Sequence, residues 1–436
     1  MTTLLTLGVS LMIGMLMTRV VRPLRLPAVT AYLIAGVLAG PYGLGRLHID
    51  GLGFTSSGNV EQFGIICDVA LGFIAFAIGN EFRLSQLKET GRQATVVGIW
   101  QAISAAVFVD IALIGLHFVP GIALPISSAI TLGAIATATA PAATLMVVRQ
   151  YKAKGKLTDI LLPVVALDDA VGLIVFAISF GVAQALESGQ FDVLSVAVEP
   201  LLEIVCSLAL GTLMGWVLTQ FEAFFNSNSN RLTITITFVI LTVALSMGEF
   251  DFAGLHIGFS SLLVCMMMGT MFCNLCPVSF DLMERADAWT APLNALFFVI
   301  SGAELKLGVF SQTGAVVIGA VYILFRSLGK YLGAYASCKV AGCDEKITRY
   351  LGITLLPQAG VALGMCVTVS EKMGSSGTLI RSIVLFAVLI YELFGPLFTK
   401  QALIKAGDIR PKDEEVLTRR TRRLAEAADK KPARKQ

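Results

Sequence analysis

At 436 residues, with 56% hydrophobic and only 14% charged side chains and a mean hydropathy of +0.78, the chain lies outside the composition of water-soluble proteins, whose charged share is nearer a quarter. Long apolar runs recur and the short alternating segments of a membrane barrel do not, so it reads as an all-α polytopic membrane protein. A net charge of only +3 gives no electrostatic footprint for nucleic acid.

The opening "MTTLLTLGVSL" has no basic leader region, so it reads as a first span rather than a cleaved signal peptide. The apolar runs predict thirteen spans: 2–21, 27–42, 62–80, 93–116, 126–148, 160–186, 195–219, 232–249, 255–276, 287–303, 313–338, 350–370 and 378–399. With the N-terminus outside, the inward connections carry fifteen Lys and Arg, from Arg19 to Arg349, and the outward ones carry four: Arg46, Lys306, Lys372 and Arg381. The positive-inside rule therefore predicts N-out and C-in. Residues 1–403 are expected to form the membrane domain, and 404–436, including "RRTRRLAEAADKKPARKQ", a disordered and solvated basic cytoplasmic tail, with lipid-headgroup contact as the minor reading.

The eight cysteines form no disulfide framework, and the single Cys273-x-x-Cys276 pair has no second pair to complete a metal site. His48, His117 and His256 fall in or beside outward connections and read as surface residues; Met266, Met267 and Met268 read as packing. No G-x-G-x-x-G or phosphate loop is present, so no nucleotide, no cofactor and no enzymatic activity are expected.

The sixth span reads "PVVALDDAVGLIVFAISFGV" and sets Asp168 and Asp169 side by side in apolar surroundings. An ionisable group inside a span costs at least a few kcal/mol and is a functional hypothesis by default. Neighbours on a helix point about 100° apart, so at least one of the two faces a protein or water interior. Asp168 stands nine residues after Asp159, and Lys330 nine before Lys339, each about 13 Å from the cytoplasmic end. Pro141, eight residues before Arg149, and Pro357, eight after Arg349, share that level.

Proline removes a backbone donor and clashes one turn back, so spans 5 and 12 are expected to break at the midplane, with Thr137, Thr139 and Gln358 beside the breaks. Span 5 runs inward and span 12 outward. Paired discontinuous helices in inverted halves, meeting at a charged midplane site, are the architecture of secondary transporters.

These residues resemble the monovalent cation:proton antiporter-2 family, which includes the sodium/proton antiporters. The likeness covers about 400 residues and rests on "RLPAVTAYLIAGVLAGPYGLG", "TATAP", "ALDDAVGL", "PLNALFFVISGAEL" and "GKYLGAYASCKVAG". It implies an antiporter fold, a bacterial inner-membrane location and a homodimer. By the same resemblance Asp169 is the ion-binding acid, Asp168 its variable neighbour and Lys330 the lysine that salt-bridges them. Two departures stand out: Ala140 occupies a position where many relatives have an acid or serine, and Arg326 lies four residues before Lys330 on the same helical face.

The expected activity is exchange of Na⁺ or Li⁺ for H⁺. Two carboxylates ~6 Å apart at an effective dielectric of ~20 repel by about 2.8 kcal/mol, which favours a proton on one of them, while Na⁺ competes for the same oxygens and displaces Lys330. Two acids at one level predict electrogenic exchange. K⁺/H⁺ exchange at the same site is the alternative; a sodium-coupled organic-anion symporter ranks next, and an uncoupled channel or sensor last. Glu392, eight residues before Lys400, mirrors span 6 in the second half and is a candidate for structural hydrogen bonding or proton passage. Asp68, Asp110 and Glu203, nearer the outer ends of their spans, read as solvated or locally paired.

Overall fold

Each of the thirteen predicted apolar runs overlaps a described helix, and the twelfth overlaps two. The structure, a computed structural model, describes residues 2–21, 28–47, 49, 51–80, 82–122, 124–140, 144, 147–148, 151–188, 199–248, 250–252, 255–305 and 313–409. The helices are α1 Thr2–Val21, α2 Ala28–Ala39, the short α3 Ser57–Glu61, α4 Gly64–Asn80, α5 Leu84–His117 and α6 Ile126–Ile135. They continue with α7 Lys156–Ser188, α8 Glu199–Phe224, α9 Asn228–Ser246, α10 Ser261–Leu275 and α11 Ser279–Ala303. The last four are α12 Thr313–Val340, α13 Glu345–Thr354, α14 Gly360–Lys372 and α15 Gly374–Ala406.

Among the described residues eight helices are long and apolar enough to cross a membrane, and shorter apolar helices such as α4, α6 and α10 complete the set. This is a multi-pass membrane protein. The ninth predicted span needs correction: Phe250–Phe252 (β1) and Leu255–Ile257 (β2) form a small antiparallel hairpin. The helix starts only at Ser261, where the Ser260 hydroxyl accepts a hydrogen bond from the Leu263 amide. Alternating "FDF" and "LHI" carry the strand period, hidden because their apolar residues run on into the span.

The helices sort into two lobes by their contacts. A flanking lobe joins α1, α2, α4, α8, α9, α10 and α11; a crossed lobe joins α5, α6, α7, α12, α13, α14 and α15. The crossed lobe is two three-span units of opposite direction: α5, the interrupted span 5 and α7, then α12, the interrupted span 12 and α15. Their first helices pack most extensively, α12 on α5, at a distance only small residues permit. A Cβ added at Gly329 would lie 2.8 Å from the Ala105 Cα. In hydrocarbon, where helices gain nothing from leaving water, such close packing is what holds them together. Where α5 leaves the membrane edge it kinks at Gly91, whose φ of 75° lies in the region glycine adopts without strain.

Candidate functional site

Two helices end inside the crossed lobe, and each leaves carbonyls that its own helix no longer satisfies. After α6 the chain is non-helical at 138–140, and after α13 it is non-helical at 356–359. The sequence accounts for the second break directly, because Pro357 has no amide hydrogen to continue α13. Pro163, Pro292 and Pro396 stay inside helices, so proline alone does not make a break. What distinguishes Pro357 is that other groups take up the freed carbonyls.

The accounting is nearly complete residue by residue. At the first break, Ala134 O accepts from the Thr137 hydroxyl at 2.6 Å, Ile135 O from Gln358 Nε2 at 3.0 Å and Ala136 O from Arg326 Nε at 3.0 Å. Thr137 O accepts from Lys330 Nζ, and Ala138 O from the Arg326 guanidinium at 2.6 Å. At the second break, Thr354 O accepts from Thr144 Oγ1 at 3.2 Å, Leu355 O from Thr139 Oγ1 at 3.3 Å and Leu356 O from Arg326 at 2.7 Å. The Ala140 amide donates to Pro357 O at 2.9 Å, tying one break to the other. Thus the two interrupted spans cross and satisfy one another.

Arg326 and Lys330 lie one turn apart on α12 and are both fully buried, 0% exposed. They sit where α6 and α13 both point their C-terminal ends, the partial negative pole of a helix. The Arg326 fork reaches carbonyls of both breaks and stacks 4.5 Å from the centre of the Tyr391 ring. Lys330 Nζ donates to Asp168 Oδ2 at 2.8 Å and Oδ1 at 3.1 Å, forming an ion pair with 0% exposure on either side chain. Gln101 of α5 donates to Asp168 Oδ1 as well. A buried pair of this kind gains little over an apolar one, yet removing one partner costs about 3–5 kcal/mol. Gly172, one turn beyond Asp168, lets α7 approach the break: an added Cβ would lie 2.9 Å from Thr137 Oγ1.

Asp168, Lys330, Thr137, Thr139, Gln358, Pro357 and Arg326 therefore converge at the crossing. Thr137 offers its carbonyl to Lys330, while the Thr137 and Thr139 hydroxyls donate to main-chain oxygens. Asp169 follows Asp168 on α7, but its side chain lies outside the described residues, as does Pro141. Gln101, Thr144, Tyr322 and Tyr391 were not singled out from sequence; Tyr322 OH accepts from Gln358 Nε2 at 2.9 Å. Glu392 is buried at 1% exposure, and its Oε1 has no hydrogen-bond partner among the described residues. Asp110 is half-buried, and its Oδ1 has no hydrogen-bond partner among the described residues. It lies against Gly133 of α6, where a Cβ would overlap it.

Residues 8–405 match the family model described as "Sodium/hydrogen exchanger, transmembrane". Over 393 residues the chain is 20% identical to the probable Na(+)/H(+) antiporter 3 of Methanocaldococcus jannaschii, covering 87% of this chain and 91% of that protein. The solved structure of the sodium proton antiporter MjNhaP1 from the same organism at pH 8 superposes with a TM-score of 0.69 at 18% identity, covering 92% of this chain and all of that one. A three-dimensional electron-microscopy map of MjNhaP1 gives 0.66 at 17% identity, over 93% of this chain and 98% of that chain. At those identities the superposition speaks to the fold, while the family match spans nearly the whole sequence. The chain belongs to the sodium/hydrogen exchanger family.

Proposed function

We propose that this protein exchanges Na⁺, or Li⁺, for H⁺ across the membrane. The observation that carries the reading is the buried Asp168–Lys330 pair on the carbonyls of a broken span. The Lys330 ammonium occupies a cation position, with the Asp168 carboxylate and Thr137 O around it. An arriving Na⁺ takes the Asp168 and Asp169 carboxylates and displaces the lysine; protons arriving from the other side reverse the step. Cation and proton exclude each other because they use the same oxygens. Alternating access then comes from the crossed lobe moving against the flanking lobe.

The loop charges support an N-out, C-in orientation in a bacterial inner membrane, with residues beyond 404 forming a basic cytoplasmic tail near lipid headgroups. Family resemblance supports a homodimer. Two acids and a displaceable lysine favour electrogenic exchange, in which each net charge gains about 2.3 kcal/mol per 100 mV. K⁺/H⁺ exchange at the same oxygens is the second reading. An organic-anion symporter fits less well, since two acids opposite a lysine suit proton exchange better than anion binding.

The experiment is proton flux in proteoliposomes on adding Na⁺, Li⁺, K⁺ or an organic anion. Na⁺ and Li⁺ are expected to drive proton movement and Asp169→Asn to abolish it for every cation. Vigorous flux in that variant would sink Asp169 as the principal acid.

A further inference from the structure

Buried or half-buried charges away from the crossing gather at one end of the molecule, on both sides of the seam between the lobes. Glu304 closes α11 in the flanking lobe; Arg381 lies in the second turn of α15 in the crossed lobe. The two form an ion pair with side-chain exposures of 13% for Arg381 and 18% for Glu304. Arg381 is eleven residues before Glu392, about 16 Å along the helix from the level of the crossing. Asp68 of α4 and Glu371 of α14 lie within electrostatic reach of one another, as do Cys67 of α4 and Arg381.

The opposite end is built differently. There Lys156 pairs with Asp344, Asp408 accepts from the amide and hydroxyl of Thr158 at 2.7 and 2.8 Å, and Lys346 donates to Ala406 O at 3.1 Å. All of these contacts lie within the crossed lobe. Polar contact to the flanking lobe at that end runs through Arg83 and Leu84, in the connection that precedes the Gly91 kink. Among the ion pairs of the described residues, Lys330–Asp168 and Lys156–Asp344 stay in the crossed lobe and Arg231–Glu222 in the flanking lobe. Of these four pairs, Arg381–Glu304 joins the two lobes.

We propose that Arg381 and Glu304 form a latch that holds the lobes together at this end, so that the passage to the crossing is shut there while the pair is intact. The proposal rests on the reading of the protein as a transporter whose lobes move. A mostly buried ion pair suits a latch because losing either partner leaves an uncompensated charge, whereas exchanging the two charges keeps the pair. The two residues act on access and need not touch the transported ion.

Cys67 supplies a native reporter: it is 2% exposed, sits at the seam beside Arg381, and becomes wet if the lobes part. The test measures labelling of each cysteine by a water-soluble maleimide, read by peptide mass spectrometry, in the full chain reconstituted in nanodiscs, where both faces are accessible. Glu304→Gln and Arg381→Gln are each expected to speed Cys67 labelling about tenfold by shifting the population towards the opened state. The exchange Glu304→Arg with Arg381→Glu is expected to return it to the parent rate, and Cys265, 0% exposed in α10, stays unlabelled throughout. Parent-like labelling in both single variants, failure of the exchanged pair to restore protection, or joint exposure of Cys67 and Cys265 would each overturn the latch. Na⁺-driven proton flux in the parent protein is scored separately. Absent flux with the expected labelling pattern counts against antiport alone; flux with unchanged labelling counts against the latch alone.

Discussion

Asp168 on α7 and Glu392 on α15 occupy corresponding third helices of the two inverted units, and both are buried, at 0% and 1% exposure. Their surroundings differ. Asp168 receives Lys330 and Gln101, whereas Glu392 Oε1 has no described partner. A charge on Asp168 is met by an opposite charge; a charge on Glu392 would not be. The inverted repeat thus extends to the backbone and its breaks but not to the electrostatics, because Arg326 and Lys330 are both on α12 and, among the described residues, Asp168 of the first unit is the acid paired there. That asymmetry leaves Asp168–Lys330 as the ion pair of the crossing despite its duplicated scaffold.

The largest expected effect comes from breaking one side of the comparison. Asp168→Asn strands the Lys330 ammonium in the interior, so stability should fall by about 3–5 kcal/mol and exchange with it, whereas Glu392→Gln should change stability by no more than about 1 kcal/mol. Thermal unfolding in detergent together with flux in proteoliposomes reads both; equal damage from the two variants would show that the mirrored acids are equivalent. Next in size is Arg326→Lys, which keeps the charge and loses the fork. Each carbonyl contact that lysine fails to replace should cost about 1.5–3 kcal/mol, and exchange should weaken alike for every cation, because the whole crossing loosens.

The comparison also shows what could be read along the chain and what could not. Asp168 and Lys330 stand out in the sequence as ionisable groups inside apolar spans, counting to the nearest polar anchor assigns them one level, and the two pair. The same count places Gln101 nine residues after Arg92, so its contact with Asp168 was legible though not drawn out. Arg326 was visible as a cation on the Lys330 face. Its work on both breaks was not, since that depends on carbonyls of residues 136, 138 and 356, which the sequence separates widely. Pro357 announced its break through a missing donor, yet Pro163, Pro292 and Pro396 carry the same signal within unbroken helices. The partner that receives the freed carbonyls decides the outcome, and partners are a tertiary property.

Smaller effects sharpen the contrast between the crossing and the surface. Thr139→Val removes the hydroxyl that donates to Leu355 O at 3.3 Å, a long contact in a buried place. Apparent cation affinity should weaken by an amount at the lower end of ~1–3 kcal/mol, read from the half-saturating Na⁺ concentration. An unchanged value would separate the first break from ion binding. The smallest effect belongs to Lys156→Ala at the exposed pair with Asp344. The Lys156 ammonium holds the Asp344 carboxyl below its ordinary range, so its contribution is fully present above about pH 4 and is lost as pH falls through the lowered value. Thermal unfolding of parent and variant should therefore differ slightly at neutral pH and converge in acid, with exchange unaffected.

The measurement that tests competition at one carboxylate site most directly is the half-saturating Na⁺ concentration for exchange as a function of pH, in proteoliposomes held at zero membrane potential. If protons and Na⁺ exclude each other, half-saturation should rise about tenfold per competing proton for each pH unit lowered on the acid side, with the maximal rate reached at high Na⁺ unchanged. A half-saturation that ignores pH, with the maximal rate falling instead, would contradict the account, since protons would then be acting elsewhere than at the oxygens Lys330 now holds.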